Sequence, residues 1–204
     1  MAGRRSTYAE RRERKAAVDD PAVVLEAAVR FLEARSRSVA EVRRRLTTAG
    51  YRTELVEAAI ERLLELGMLD DEAFARLWVE SRDRARPRGE RALMVELRQK
   101  GIDAKIITAT LKERREVAVR WEDAASSEGE HPSSPAATPD EASARKLVAH
   151  HARSLARIAD PRQRRQRAYA LLARNGFDPE VCRTVAATVI EDDTDPDAEI
   201  VELD

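Results

Sequence analysis

The chain has 204 residues and a formal net charge of −1, with 43% hydrophobic, 37% charged and only 4% aromatic residues. Such a mix builds thin helical layers of Ala, Leu and Val with charged outer faces, and every apolar run is broken well short of the roughly 18 residues a membrane span needs. The lone Cys182 excludes an intramolecular disulfide and points to a reducing, cytoplasmic setting.

Residues 1–17 carry six bases and two acids without apolar periodicity, which predicts a disordered basic arm. Residues 18–67 predict a first three-helix module. Asp20-Pro21 opens its first helix, a capping residue followed by proline at the first helical position, with Val24, Ala28, Phe31 and Leu32 on one face. Ser38 with Glu41 makes a capping box for the second helix, which carries Val42 and Leu46 and ends at Gly50. Thr53 is expected to cap the third, where Val56, Ala59, Ile60, Leu63 and Leu64 recur at helical spacing.

Residues 68–121 predict a second module. Phe74, Leu77, Trp78 and Ser81 fall at i, i+3, i+4 and i+7, the spacing of one buried helix face, and Asp70 or Asp71 can cap that helix. Arg82, Arg84, Arg86, Arg88 and Arg91 then bracket a Pro87…Gly89 breaker, with Arg98 and Lys100 beyond it. Residues 122–143 hold six acids and no base among Ser, Pro and Ala, which predicts a linker. Residues 144–190 predict a third module. Its first helix carries Leu147, His151, Leu155 and Ile158; Asp160-Pro161 opens the second and Asp178-Pro179 the third. Residues 191–204, with eight acids and no base, predict a disordered acidic tail.

The modules are written in one pattern. Leu46…Gly50-Tyr51 answers to Leu97…Gly101-Ile102 and to Leu172…Gly176-Phe177: a helix ends at glycine, an apolar residue follows, and a new helix opens. The second interval exceeds the first by about the length of the acidic linker. With no strand-like alternation, the expected fold is all-α, an elongated array of three repeated three-helix, helix-turn-helix-like modules.

Net charge climbs along the modules from −1 to +3 to +7. Basic clusters recur near the start of each middle helix: Arg43, Arg44 and Arg45; Arg88 and Arg91; Arg162, Arg164, Arg165 and Arg167. Such a track suits a phosphate backbone or an acidic protein groove, because a guanidinium can make two parallel bonds to an oxyanion. Nothing marks base-specific readout, so DNA binding through it is expected to be electrostatic and salt-sensitive. The competing reading is a solvated helix face with partners one turn away, such as Glu41 with Arg45.

The catalytic inventory is thin. His131 lies in the linker, and the adjacent His150 and His151 point about 100° apart on a helix. His151 reads as a packing residue, Cys182 as a small buried side chain, and Asp70-Asp71-Glu72 as helix capping. With no phosphate loop or dinucleotide fingerprint, the expectation is a protein without enzymatic activity, metal or cofactor.

The run Leu66-Gly67-Met68-Leu69-Asp70-Asp71, then Phe74-Ala75, Trp78-Val79, Arg82 and Lys100-Gly101-Ile102, resembles the RecX family, bacterial regulators of the RecA recombinase. The resemblance is strong over 25–113 and weaker over 144–190. It implies three helix-turn-helix-like repeats that bind the RecA–DNA filament in its groove and inhibit ATP hydrolysis, strand exchange and coprotease activity in recombination and the SOS response. Single- or double-stranded DNA would be met through phosphate contacts, by a chain that is monomeric when free. Arg82, Arg84, Arg88, Arg91, Arg98 and Lys100 then become contact candidates, followed by the third-module arginines, with Phe74 and Trp78 as scaffold. The alternative is a non-specific helix-turn-helix-like DNA-binding protein with no recombinase partner. The long acidic insert and acidic tail depart from the family pattern.

Overall fold

A computed structural model describes residues 7–126 and 138–191. Among them lie α1 (Tyr8–Ala16), α2 (Pro21–Glu33), α3 (Val39–Ala49), α4 (Thr53–Glu65), α5 (Asp71–Ala85), α6 (Glu90–Gln99), α7 (Ala104–Ser126), α8 (Pro139–His150), α9 (Ala152–Ala156), α10 (Pro161–Arg174) and α11 (Pro179–Glu191), with no strand. The chain divides into two compact units, one running through Leu77 and including Leu97–Ile107, the other formed by Trp78–Glu96 and the residues from Thr108 onward.

In the first unit, the stripes of α2, α3 and α4 meet in a core of Val24, Ala28, Val42, Leu46, Val56, Ala59, Ile60 and Leu63, closed by Tyr51 and Leu69. Local signals place the helix starts. Asp20 accepts from the Ala22 N–H at 2.9 Å, and Ser38 and Glu41 bond reciprocally as a capping box. Thr53 instead begins its helix; Arg52 holds the cap position without a side-chain bond.

The arm expected to lack structure contains α1. Thr7 and Glu10 form a capping box, and Arg14 and Lys15 sit in the last turn, where positive charge favours the carbonyl end. Helix-end chemistry replaces an apolar stripe, since α1 buries no residue. It is held by the Tyr8 hydroxyl donating to the Thr48 carbonyl at 3.0 Å and by Lys15 lying 4.8 Å from the Tyr51 ring centre.

Helix α5 is rotated from its expected setting. Phe74, Ala75 and Val79 are buried and Trp78 and Arg82 partly so, whereas Leu77 is 54% exposed and Ser81 is exposed. On a 100° wheel these inward positions span one face, and Leu77 falls outside it. Asp70 caps α5 by accepting from the Ala73 N–H at 2.9 Å. Asp71 reaches the Val39 N–H at the start of α3, also at 2.9 Å.

In the second unit, Ala144, Leu147, Leu172, Phe177, Cys182 and Val185 form one cluster and Leu155, Ala168 and Ala186 a second. Helix α8 starts at Pro139, behind a Thr138–Glu141 capping box, and α7 runs on to Ser126, so helix occupies both ends of the expected linker. The remainder of that linker and the acidic tail beyond Glu191 lie outside the described residues. His151 is exposed rather than packed, because the expected helix breaks there into α8 and α9, and its Nδ1 lies 2.9 Å from the Leu147 carbonyl.

Candidate interaction surface

A repeated joint governs which arginines remain available. In the first unit, the start of α3 receives the turn that ends α6. Ser38 Oγ donates to the Lys100 carbonyl at 2.6 Å, Lys100 Nζ bonds Glu41 at 2.7 Å, and Gly101 comes so close to Ala40 that an added Cβ would lie 2.3 Å from the alanine methyl. In the second unit, the start of α6 receives the turn that ends α10. The Gly89 N–H donates to the Asn175 carbonyl at 3.0 Å, Arg88 bonds the Asn175 side chain at 2.6 Å, and Arg91 bonds Asp178 at 2.7 Å. An added Cβ on Gly176 would lie 2.5 Å from the Ala92 methyl. The corresponding first-module turn, at Gly50, is covered by Arg12 of α1.

Lys100, Arg88 and Arg91 thus have partners inside the chain. Arg82 does as well: its Nε donates to Glu96 at 2.6 Å and its guanidinium stacks 4.2 Å from the Trp78 ring centre, while the Trp78 indole donates to the same carboxylate at 2.9 Å. Arg164 departs furthest from the expected track. It is 8% exposed and its Nε donates to the Ile158 carbonyl at 3.1 Å, because α10 turns that position inward beside Ala168. Arg84 pairs with Glu80 one turn away, Arg43 makes two 2.7 Å bonds to Glu57, and Arg45 lies over Phe31. Glu41 pairs with Lys100 and Arg35, not with Arg45. Arg44, Arg86, Arg98, Arg162, Arg165 and Arg167 are exposed and make no ion pair among the described residues.

The residue that sequence reasoning missed most plainly is Arg114. Its Nε and Nη2 each lie 2.9 Å from Asp83, its Nη1 lies 2.6 Å from Asp140, and Ser143 Oγ lies 3.2 Å from Nη2. Burial lowers its proton affinity, but bonds and charge from Asp83 and then Asp140 outweigh this and hold the guanidinium firmly protonated.

Glu41 gives the joint a pH dependence. Burial pushes its carboxyl up, yet the bond and charge of Lys100, the Ser38 N–H and Arg35 bring it below the ordinary range. With the folded value below the unfolded value of about 4.3, this stabilisation is complete above that pH and disappears as pH falls through the folded value. Glu41→Gln should therefore flatten the fall in Tm on acidification below about pH 5, and a Tm–pH curve parallel to the parent's would contradict the assignment. Asp71 is opposite in sign: burial raises it, and the Val39 N–H offsets that only in part.

Among the described residues, no cluster of three His, Cys, Asp or Glu is placed to hold a metal, and no helix is long and apolar enough to cross a membrane. Cys182 is fully buried, and burial raises its thiol.

Three successive stretches match the family models of RecX three-helix domains: residues 25–63 the first domain, 70–111 the second and 139–185 the third. The chain belongs to the RecX family. Regulatory protein RecX of Mycobacterium sp. (strain JLS) is 45% identical over 83 residues, 41% of this chain and 45% of the relative. RecX of Mycolicibacterium smegmatis is 43% identical over 83 residues, 41% of this chain and 44% of the relative. RecX of Pelodictyon phaeoclathratiforme is 41% identical over 92 residues, 45% and 58% of the respective chains. The chain thus spans about half the length of the curated relatives it matches. The crystal structure of RecX from Lactobacillus salivarius shares the fold, with a TM-score of 0.62 at 18% identity over 84% of this chain and 97% of that one. The third RecX domain match begins at 139, where α8 begins.

Proposed function

We propose that this RecX-family chain regulates the RecA recombinase by binding the RecA–DNA filament in its groove and lowering ATP hydrolysis, strand exchange and coprotease activity. The observation that carries the reading is the succession of all three RecX domains in one chain. Regulation of this kind needs no catalytic group, only unequal affinity for the filament's states. The chain acts in the cytoplasm, as a monomer when free, and meets DNA through phosphates.

Within the basic track, the exposed arginines without an internal ion pair are the leading contacts: Arg44, Arg86, Arg98, Arg162, Arg165 and Arg167. Arg43, Arg84 and Arg91 can exchange an internal partner for an external one, since exposed ion pairs contribute only about 0–1 kcal/mol, and the exposed Arg45 has only the Phe31 ring to leave. Arg82, Arg88, Lys100 and Arg164 serve chiefly to hold the scaffold.

Co-sedimentation with RecA filaments on single-stranded DNA, trapped with a slowly hydrolysed ATP analogue, tests the proposal. The chain is expected in the pellet only when filaments are present, and more weakly with naked DNA at the same salt. Equal recovery on naked DNA and filaments would favour a general DNA-binding protein instead.

A further inference from the structure

The joint described above has an open end. The start of α3 receives the Lys100–Gly101 turn and the start of α6 receives the Asn175–Gly176 turn. The start of α10 is the third such position, and no described turn of the chain lies against it as Gly101 and Gly176 lie against Ala40 and Ala92. Its chemistry also differs. Ala40 in the first turn of α3 and Ala92 in the first turn of α6 let a glycine backbone approach closely, whereas the first turn of α10 carries Arg162, Gln163 and Arg164 and no alanine. Long side chains in place of that alanine disfavour a close glycine approach, and the exposed Arg162 among them favours an anion.

Beside it is a cavity of about 380 Å³, lined by Arg162, Arg165, Gln166 and Tyr169 from α10 and by Arg183 and Ala186 from α11. No acidic side chain is among its lining residues. All three arginines are exposed and make no ion pair among the described residues. Arg183, from a different helix, lay outside the sequence-level cluster. Asp160, the carboxylate at the start of α10, is occupied in capping: it accepts from the Arg162 N–H at 2.8 Å. Three like charges brought together by two helices repel each other, and that arrangement is relieved by a bound anion. Tyr169 adds a flat apolar surface at the same cavity, partly buried against Leu155, Ala168 and Ala186.

We propose that this α10–α11 cavity binds a nucleotide unit of single-stranded nucleic acid, with the phosphate held by Arg162, Arg165 and Arg183 and the base stacked on Tyr169. Guanidiniums that track the backbone, with an aromatic ring for the base, are the recurring means of sequence-tolerant strand binding. The inference deepens the DNA half of the proposed function. Because DNA alone tests it, it can succeed or fail independently of recombinase regulation.

The test is fluorescence anisotropy of the full chain with a labelled oligothymidylate across a salt series. The double variant Arg162→Ala/Arg183→Ala is compared with Arg153→Ala/Arg174→Ala, which removes the same charge from exposed positions away from the cavity. Loss of one phosphate contact should weaken binding by about tenfold and reduce the slope of log affinity on log salt by roughly 0.7, with the control pair little changed. Tyr169→Leu should weaken binding by roughly five- to a hundredfold while Tyr169→Phe retains it, with thermal melts verifying that both variants fold. Equal loss in the two double variants would mean net charge alone is at work and would overturn the proposal. So would saturation by a free mononucleotide that no oligonucleotide displaces. Binding of a peptide bearing the Asn175–Asp178 turn, without oligonucleotide binding, would assign the open joint to a protein and likewise overturn it.

Discussion

Arg114→Ala is expected to destabilise the protein by about 3–5 kcal/mol, the cost of removing one partner from a buried charge network. The Arg114 side chain is 7% exposed, and those of Asp83 and Asp140 are 29% and 15% exposed. Truncation leaves both carboxylates facing a site from which their cation has gone. The remaining hydrogen bonds are too few to replace it: Ser143 Oγ donates to Asp83 at 2.9 Å, and the Glu90 N–H donates to Asp140 at 3.1 Å. Arg114→Lys restores the charge but not the paired bonds to Asp83, because an ammonium is a point donor where the guanidinium is a fork. Its loss should therefore be intermediate. Urea unfolding followed by circular dichroism measures both variants. A loss below about 1 kcal/mol for Arg114→Ala would place the group among exposed pairs and contradict its role as a hub.

The second large effect is at Gly176. Its φ is +81°, a left-handed conformation that costs an L-residue about 1–2 kcal/mol. An added Cβ would also meet the Ala92 methyl at 2.5 Å and the Ala92 nitrogen at 2.6 Å, and overpacking of this kind costs about 1–3 kcal/mol. Gly176→Ala should thus destabilise by about 2–5 kcal/mol. Gly67→Ala separates the two causes. Gly67 has φ +65° but open space where its Cβ would stand, so only the conformational cost applies. Equal losses at Gly67 and Gly176 would remove the close approach of the α6 start to the third-module turn as a source of stability.

Much of this was legible in the chain. Helix starts at Asp20-Pro21, Ser38/Glu41, Asp160-Pro161 and Asp178-Pro179 could be read directly because capping is local chemistry: each needs only residues within a turn of one another. The glycine repeat was legible for the same reason, and Gly50, Gly101 and Gly176 all adopt the left-handed conformation. The setting of α5 was harder, since Leu77 and Ala75 compete for the inward side and composition favours the wrong one. Helix α1 was missed because a capping box and a favourable helix end do not register as apolar periodicity.

Least legible was the division of labour among the arginines. Arg82 and Arg162 look alike in sequence, yet one is held by Glu96 and Trp78 while the other is exposed beside a cavity. Arg82, Arg88 and Arg91 are held by Glu96, Asn175 and Asp178 respectively, which lie 14 to 87 positions from the arginines they bind. Spacing along one helix carries no information about such partners. Arg183 escaped notice for the same reason, since its neighbours across the cavity belong to another helix.

The most direct test of the central claim is a titration of the full chain into RecA on single-stranded DNA at moderate salt, with ATP hydrolysis followed continuously. A regulator that binds the filament is predicted to suppress hydrolysis at substoichiometric ratios to RecA. Undiminished hydrolysis at equimolar protein, with the chain bound to the DNA, would contradict it.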